Sequence, residues 1–115
     1  MKKESRVSLL IVLVTCPTRS MARRLASELV TRRLAACVNI VPGVESVFSW
    51  QGKVDRCREV LLIIKTTAGS FERLRHAVIS VHPYEVPEIV GLPLTAGHRP
   101  YVQWVRESVR SRVAV

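Results

Sequence analysis

The residue types best suited to chemistry in this chain gather in one short segment, His82-Pro83-Tyr84-Glu85 followed by Pro87-Glu88. An imidazole, a phenol and carboxylates this close together can bind a metal ion or move protons. No second His or Cys stands at ligand spacing beside them, so a closed structural zinc site is not encoded, and any metal site must be completed from elsewhere in the fold. The prolines equally suit a rigid connector whose His and Tyr only make hydrogen bonds. Cys16 falls at the end of a first strand and just before a helix, where a thiol can be a soft ligand, can be activated by the helix dipole, or can be a small buried hydrophobe. Cys37 reads as core, whereas Cys57, between Arg56 and Arg58, is expected to gain thiolate character if its strand is exposed. His76 reads as an exposed mid-helix residue, and His98, beside Gly97 and Arg99, as a turn residue. G-x-S-x-G, H-E-x-x-H, P-loop and G-x-G-x-x-G signatures are all absent, so a protein without catalytic turnover is expected.

The elements that must position these residues are organised around Leu34 to Thr67. Two β-branched runs, Cys37 to Phe48 and Val54 to Thr66, flank a Trp50-Gln51-Gly52-Lys53 turn, the pattern of a long antiparallel hairpin. Its apolar residues fall at both even positions (Val38, Ile40, Val44, Phe48) and odd ones (Cys37, Val41, Val47), so both faces call for cover. Helices of a chain this size cover one face, which leaves the other to further copies of the same chain. Val7 to Thr15 reads as a buried central strand and Ser20 to Leu34 as an amphipathic helix. Thr18 or Ser20 can cap that helix, and Arg32 and Arg33 suit the negative end of its dipole. A second helix carries Phe71, Leu74, Val78 and Val81, with Ser70 as its N-cap and Pro83 as its stop. Glu88 to Leu94 is a short strand whose Pro93 puts it at an edge or lies near the strand's own end, and a last helix runs from Pro100 to about Arg112. The order is β-α-β-β-α-β with an added C-terminal helix: an α+β, ferredoxin-like sandwich of one four-stranded sheet.

The 115 residues fit one domain, with residues 1–6 expected as a flexible N-terminal extension. The charge is +9, from 14 Arg and 4 Lys against 9 acidic residues. Arginines scattered this widely predict non-specific, salt-screened attraction to polyanions. Sequence-specific nucleic-acid binding is not expected, because the third strand of an RNA-recognition motif would carry base-stacking rings and Lys53 to Val60 contains none. Three cysteines are odd in number and form no C-x-x-C pair, which points to a reducing cytoplasm rather than a disulfide framework. Lys2, Lys3 and Arg6 before Val7 to Val14 imitate a short signal peptide. Glu4 in the basic region and the bulky Thr15 before Cys16 argue against one, and the run is far too short to span a membrane.

The blocks LAACVNIVPGVESVFSWQGK, EVLLIIKT, HPYEVPEIVGLPL and GHRPYVQWV, in this order, closely resemble the CutA family, the divalent-cation tolerance proteins. The resemblance implies a ferredoxin-like subunit in a tight homotrimer with interlocking hairpins, loosely similar to the PII signalling trimers, and no catalytic activity. The contact between copies is then expected at Val47, Phe48, Trp50, Tyr84 and Trp104. It also implies copper or another divalent cation as ligand and leaves room for a protein partner. Carried over by position, Cys16 and His82 are the metal candidates, with Glu85 or Glu88 adding an oxygen. This chain departs from some members by having Val14 and Val81 where they carry a cysteine and a second histidine. Phe48 stands where tyrosine is common, and Arg56 and Arg58 lie in a hairpin often acidic in relatives. A trimeric scaffold or PII-like sensor, holding a small ligand or partner between subunits, is the alternative reading.

Overall fold

The computed structural model describes residues 8–109. The expected extension at 1–6, Val7 of the first strand and the expected end of the last helix at 110–112 lie outside the described residues. Within them the chain forms β1 (Leu9–Cys16), α1 (Arg19–Thr31), β2 (Cys37–Trp50), β3 (Lys53–Thr67), a single 3₁₀ turn (Ala68–Ser70), α2 (Phe71–Val81), β4 (Ile89–Pro93) and α3 (Arg99–Ser108). The strands make one antiparallel sheet in the order β2-β3-β1-β4, as the ferredoxin-like reading requires. Pairing only with β1 and ending at Pro93, β4 is the edge strand that its proline predicts.

Period-two alternation along β1 and β3 divides their side chains between two faces. Val12, Val14 and Cys16 of β1 and Val60, Leu62 and Ile64 of β3 lie beneath Leu25 and Leu29 of α1 and Leu74 and Val78 of α2, and together they form the main core. On the opposite face α3 covers only one corner, where Val105 and Val109 pack on Leu9 and Ala36. Beyond that corner Leu13, Leu61 and Ile63 are half-buried, while Val41, Val90 and Leu92 are exposed. The expected uncovered sheet face is therefore present in the single chain.

The hairpin turns at Gln51 and Gly52, both at positive φ (51° and 81°), the two-residue turn that matches the twist of long antiparallel strands. Its mixed parity has a local cause that alternation alone did not reveal. A register shift between Val41 and Val44, at Pro42 and Gly43 (φ 78°), flips the side of every later residue of β2. Val41 opposes Leu61, but past the bulge Ser46 opposes Cys57 and Phe48 opposes Asp55. Cys37, Val41, Phe48 and Trp50 thus share the open face despite their differing parity.

Helix ends depart from expectation in two places. Thr18 caps α1 as predicted, its Oγ1 accepting from the Met21 N–H at 3.1 Å. Arg33, however, sits at positive φ (59°) after the last turn, with the Leu34 N–H reaching the Leu29 carbonyl at 2.9 Å. Its guanidinium turns away from its own helix and donates to the carbonyls of Glu107 (2.8 Å) and Ser108 (3.0 Å), capping α3. Ser70 does not cap α2 through its side chain. Instead its hydroxyl accepts from Thr67 (3.0 Å) and from Arg73 (3.1 Å), and the 3₁₀ turn leads into the helix.

Candidate functional site

Where α2 stops, the 82–88 segment crosses the end of β1, and the His82 ring reaches back over the sheet. Nε2 of His82 lies 2.7 Å from the carbonyl oxygen of Thr15, and Nδ1 accepts from the Tyr84 N–H at 3.2 Å. Those two partners define the neutral imidazole protonated at Nε2. Tyr84 packs tilted against the ring, centroids 4.7 Å apart and planes at 56°, and donates its hydroxyl to Glu59 at 2.8 Å, while Ser46 donates to the other oxygen of Glu59 at 2.6 Å. One hydrogen-bonded chain thus ties β1, the 82–84 turn, β3 and β2 together. Glu59 and His82 are both buried, each 8 % exposed. Neither Glu59 nor Ser46 stood out in the sequence. The only available signal was that Glu59 continues the alternation of Leu61 and Ile63 and so had to face the same side as they do.

The fold brings these two metal candidates, Cys16 and His82, near each other within one chain, the His82 ring bonding to Thr15, the residue before Cys16. It does not make them a ligand pair in the state described. Both His82 nitrogens are engaged, and Cys16 is fully buried in the core, its thiol pushed up to about 11 by burial and then by the Glu59 charge. The helix dipole does not activate it. Cys57 also differs from expectation, because Arg56 and Arg58 point to the other side of β3 while Cys57 shares its side with Glu59 and Asp55. Burial first, and then those two carboxylates, raise its thiol. The phenol of Tyr84 is raised as well, by burial and then by its bond to Glu59. Glu85 and Glu88 are exposed. Among the described residues no three His, Cys, Asp or Glu side chains are grouped to hold a metal ion, so Cys16, His82, Glu85 and Glu88 do not form one ligand set within a chain.

These raised thiols have a measurable consequence. An acid whose folded-state pKa exceeds its unfolded value holds its proton more tightly when folded, so its stabilising contribution is complete below pH 9.0 and is lost as pH climbs toward 11. Denaturant unfolding at pH 8 and pH 11 should show a drop that Cys16→Ala reduces by about 1–2 kcal/mol. An equal drop in the variant would assign the effect to other groups.

Around this chain of hydrogen bonds lies a groove of about 730 Å3, between the outer half of the hairpin and the 84–88 segment. Its walls include Phe48, Trp50, Tyr84 and Val86, with the carboxylates of Glu59, Glu85 and Glu88. Of the residues expected at a contact between copies, Val47, Phe48, Trp50 and Tyr84 surround this groove. Trp104 lies apart on α3, packed on Tyr101 at 5.6 Å. His76 is exposed on α2 and pairs with Arg75 (3.1 Å), and His98 stands exposed before α3 without capping it.

Fold and site together define a ferredoxin-like domain with a projecting hairpin, one sheet face left open and a His-Tyr-Glu network at the hairpin's root. The chain belongs to the family of the CutA1 divalent ion tolerance proteins, whose model matches residues 10–108. It is 51 % identical over 98 residues to the divalent-cation tolerance protein CutA of Thermus thermophilus, covering 85 % of this chain and 95 % of that one. It is 47 % identical over 102 residues to the chloroplastic protein CutA of Arabidopsis thaliana, covering 89 % of this chain and 56 % of the longer plant protein. The crystal structure of CutA1 from Oryza sativa superposes with a TM-score of 0.89 at 43 % identity, over 93 % of this chain and 98 % of that one. Among the described residues no helix is long and apolar enough to cross a membrane.

Proposed function

We propose that this protein serves divalent-cation tolerance as a cytoplasmic homotrimer that binds its cations, copper foremost, without turnover. The open sheet face carries the reading. Ile11, Leu13, Leu61, Ile63, Val90 and Leu92 leave an apolar surface larger than α3 covers, and a second layer of the same chain is what such a face calls for. Free cysteines at 16, 37 and 57 accord with a reducing compartment. Because one chain does not gather a ligand set, low-stoichiometry copper binding draws on groups of more than one copy. His82 would supply the imidazole, through Nδ1 in place of the Tyr84 N–H, or through Nε2 with its proton moved to Nδ1 or lost to solvent. Equilibrium dialysis of the assembled protein should show copper binding that His76→Ala leaves intact and His82→Ala weakens at least about tenfold. The thiol matters more under reducing conditions, since Cu(I) prefers soft ligands. No binding by the unaltered protein, or equal binding by both variants, would remove copper at His82 from this reading.

A second reading, a trimeric scaffold or sensor holding a small ligand, is favoured by the aromatic-walled groove, whose size suits a small molecule.

A further inference from the structure

Within one chain the Glu59 carboxyl group has no cation beside it. The Glu59 side chain is largely buried at the wall of the groove, and its partners are two neutral hydroxyls, those of Ser46 and Tyr84. Among the described residues no lysine, arginine or histidine pairs with it. Arg56 and Arg58, though close in sequence, stand on the far side of β3. Burying a carboxylate without a countercharge is unfavourable, and hydroxyl donors offset only part of that cost. The imbalance is the more telling in a chain of net charge +9. Two more carboxylates, Glu85 and Glu88, line the same groove, and the rings of Phe48 and Trp50 stand 40 % and 45 % exposed along it.

We infer that this groove binds an organic cation, an ammonium or guanidinium carried on an apolar body. The inference rests on the small-ligand reading above and adds its chemical class. A cation there meets carboxylate oxygen and the electron-rich faces of Phe48, Trp50 and Tyr84, which attract ammonium and guanidinium groups. The rest of the ligand lies on aromatic wall and on Val86. A bare metal ion fits the groove less well, because its oxygens are not grouped to coordinate one. An anion would face three carboxylates.

The test uses the assembled protein, because Phe48 and Trp50 are also expected at the contact between copies. Calorimetric titration with 2-phenylethylammonium, and with its neutral counterpart 2-phenylethanol, is run at neutral pH. The ammonium should bind at least about tenfold more tightly than the alcohol, and Glu59→Gln should remove at least about tenfold of that affinity. Trp50→Leu, with sedimentation showing that the variant keeps its assembly, should weaken the ammonium as well. Equal binding of both probes would overturn the cation while leaving the small-ligand reading standing. Binding of neither would overturn both. Ammonium binding unchanged in both variants would place it elsewhere on the protein and overturn the assignment to this groove.

Discussion

Ile63→Asp should convert the assembled protein into monomers of 12.9 kDa that keep their fold. Ile63 lies on the face of β3 turned away from α1 and α2, directly opposite Leu13 of β1 and Asn39 of β2, at the middle of the uncovered surface. In a lone chain the new carboxylate reaches water and costs little. In an assembly that covers this face, each copy buries one charge against apolar neighbours, a penalty of several kcal/mol repeated at every copy. Sedimentation equilibrium at micromolar concentration reads the result, with the unaltered protein expected at three times the monomer mass. Leu62→Asp, one residue along and fully buried in the main core, is the contrasting control and should abolish folding rather than assembly. A monomeric unaltered protein, or an Ile63→Asp variant that still sediments as a trimer, would show that this face is not the interface.

The opposite consequences expected at neighbouring positions 62 and 63 follow from strand alternation, and that part of the structure was legible in the sequence. The Val60 to Ile64 run, the Gln51-Gly52 turn, the Pro93 edge and the helical spacing of Leu25 and Leu29 are local patterns, so element order and sheet topology followed from them. What escaped the sequence depends on contacts between distant residues or on a single backbone irregularity. The bulge at Pro42 and Gly43 swaps the faces of β2, so parity read straight through it groups Phe48 with Val38 and Ile40, which lie on the other face. Cys57 appeared flanked by arginines in sequence, yet in a strand the adjacent residues point away and the carboxylates two positions on either side are the true neighbours. Arg33 suited the end of α1 on local grounds and instead caps a helix 74 residues further on, a partner that only the folded chain supplies. The His82-Tyr84-Glu59-Ser46 chain draws on three separate segments, and only its first two members were adjacent enough to be noticed.

His82→Ala should lower stability by about 2–4 kcal/mol, a fall in melting temperature of roughly 10–20 °C for a domain of this size. The ring is buried, and removing it strips the Thr15 carbonyl and the Tyr84 N–H of their partners together, while Tyr84 loses the surface it packs against. Leaving buried polar groups unpaired and opening a cavity both add to the loss. Weaker copper binding in that variant therefore has two sources, a missing ligand and a loosened site. His82→Gln separates them. Its side-chain amide N–H2 can take the place of Nε2 and donate to Thr15, but an amide is a poor ligand for copper. If the imidazole acts only as a clamp, His82→Gln should recover most of the lost melting temperature together with most of the copper affinity. If it is a ligand, stability returns and copper affinity does not, as the proposed function expects. A melting temperature unchanged in His82→Ala would instead show that the Thr15 and Tyr84 bonds contribute little, and that the turn at 82–84 is held by its prolines and by Glu59.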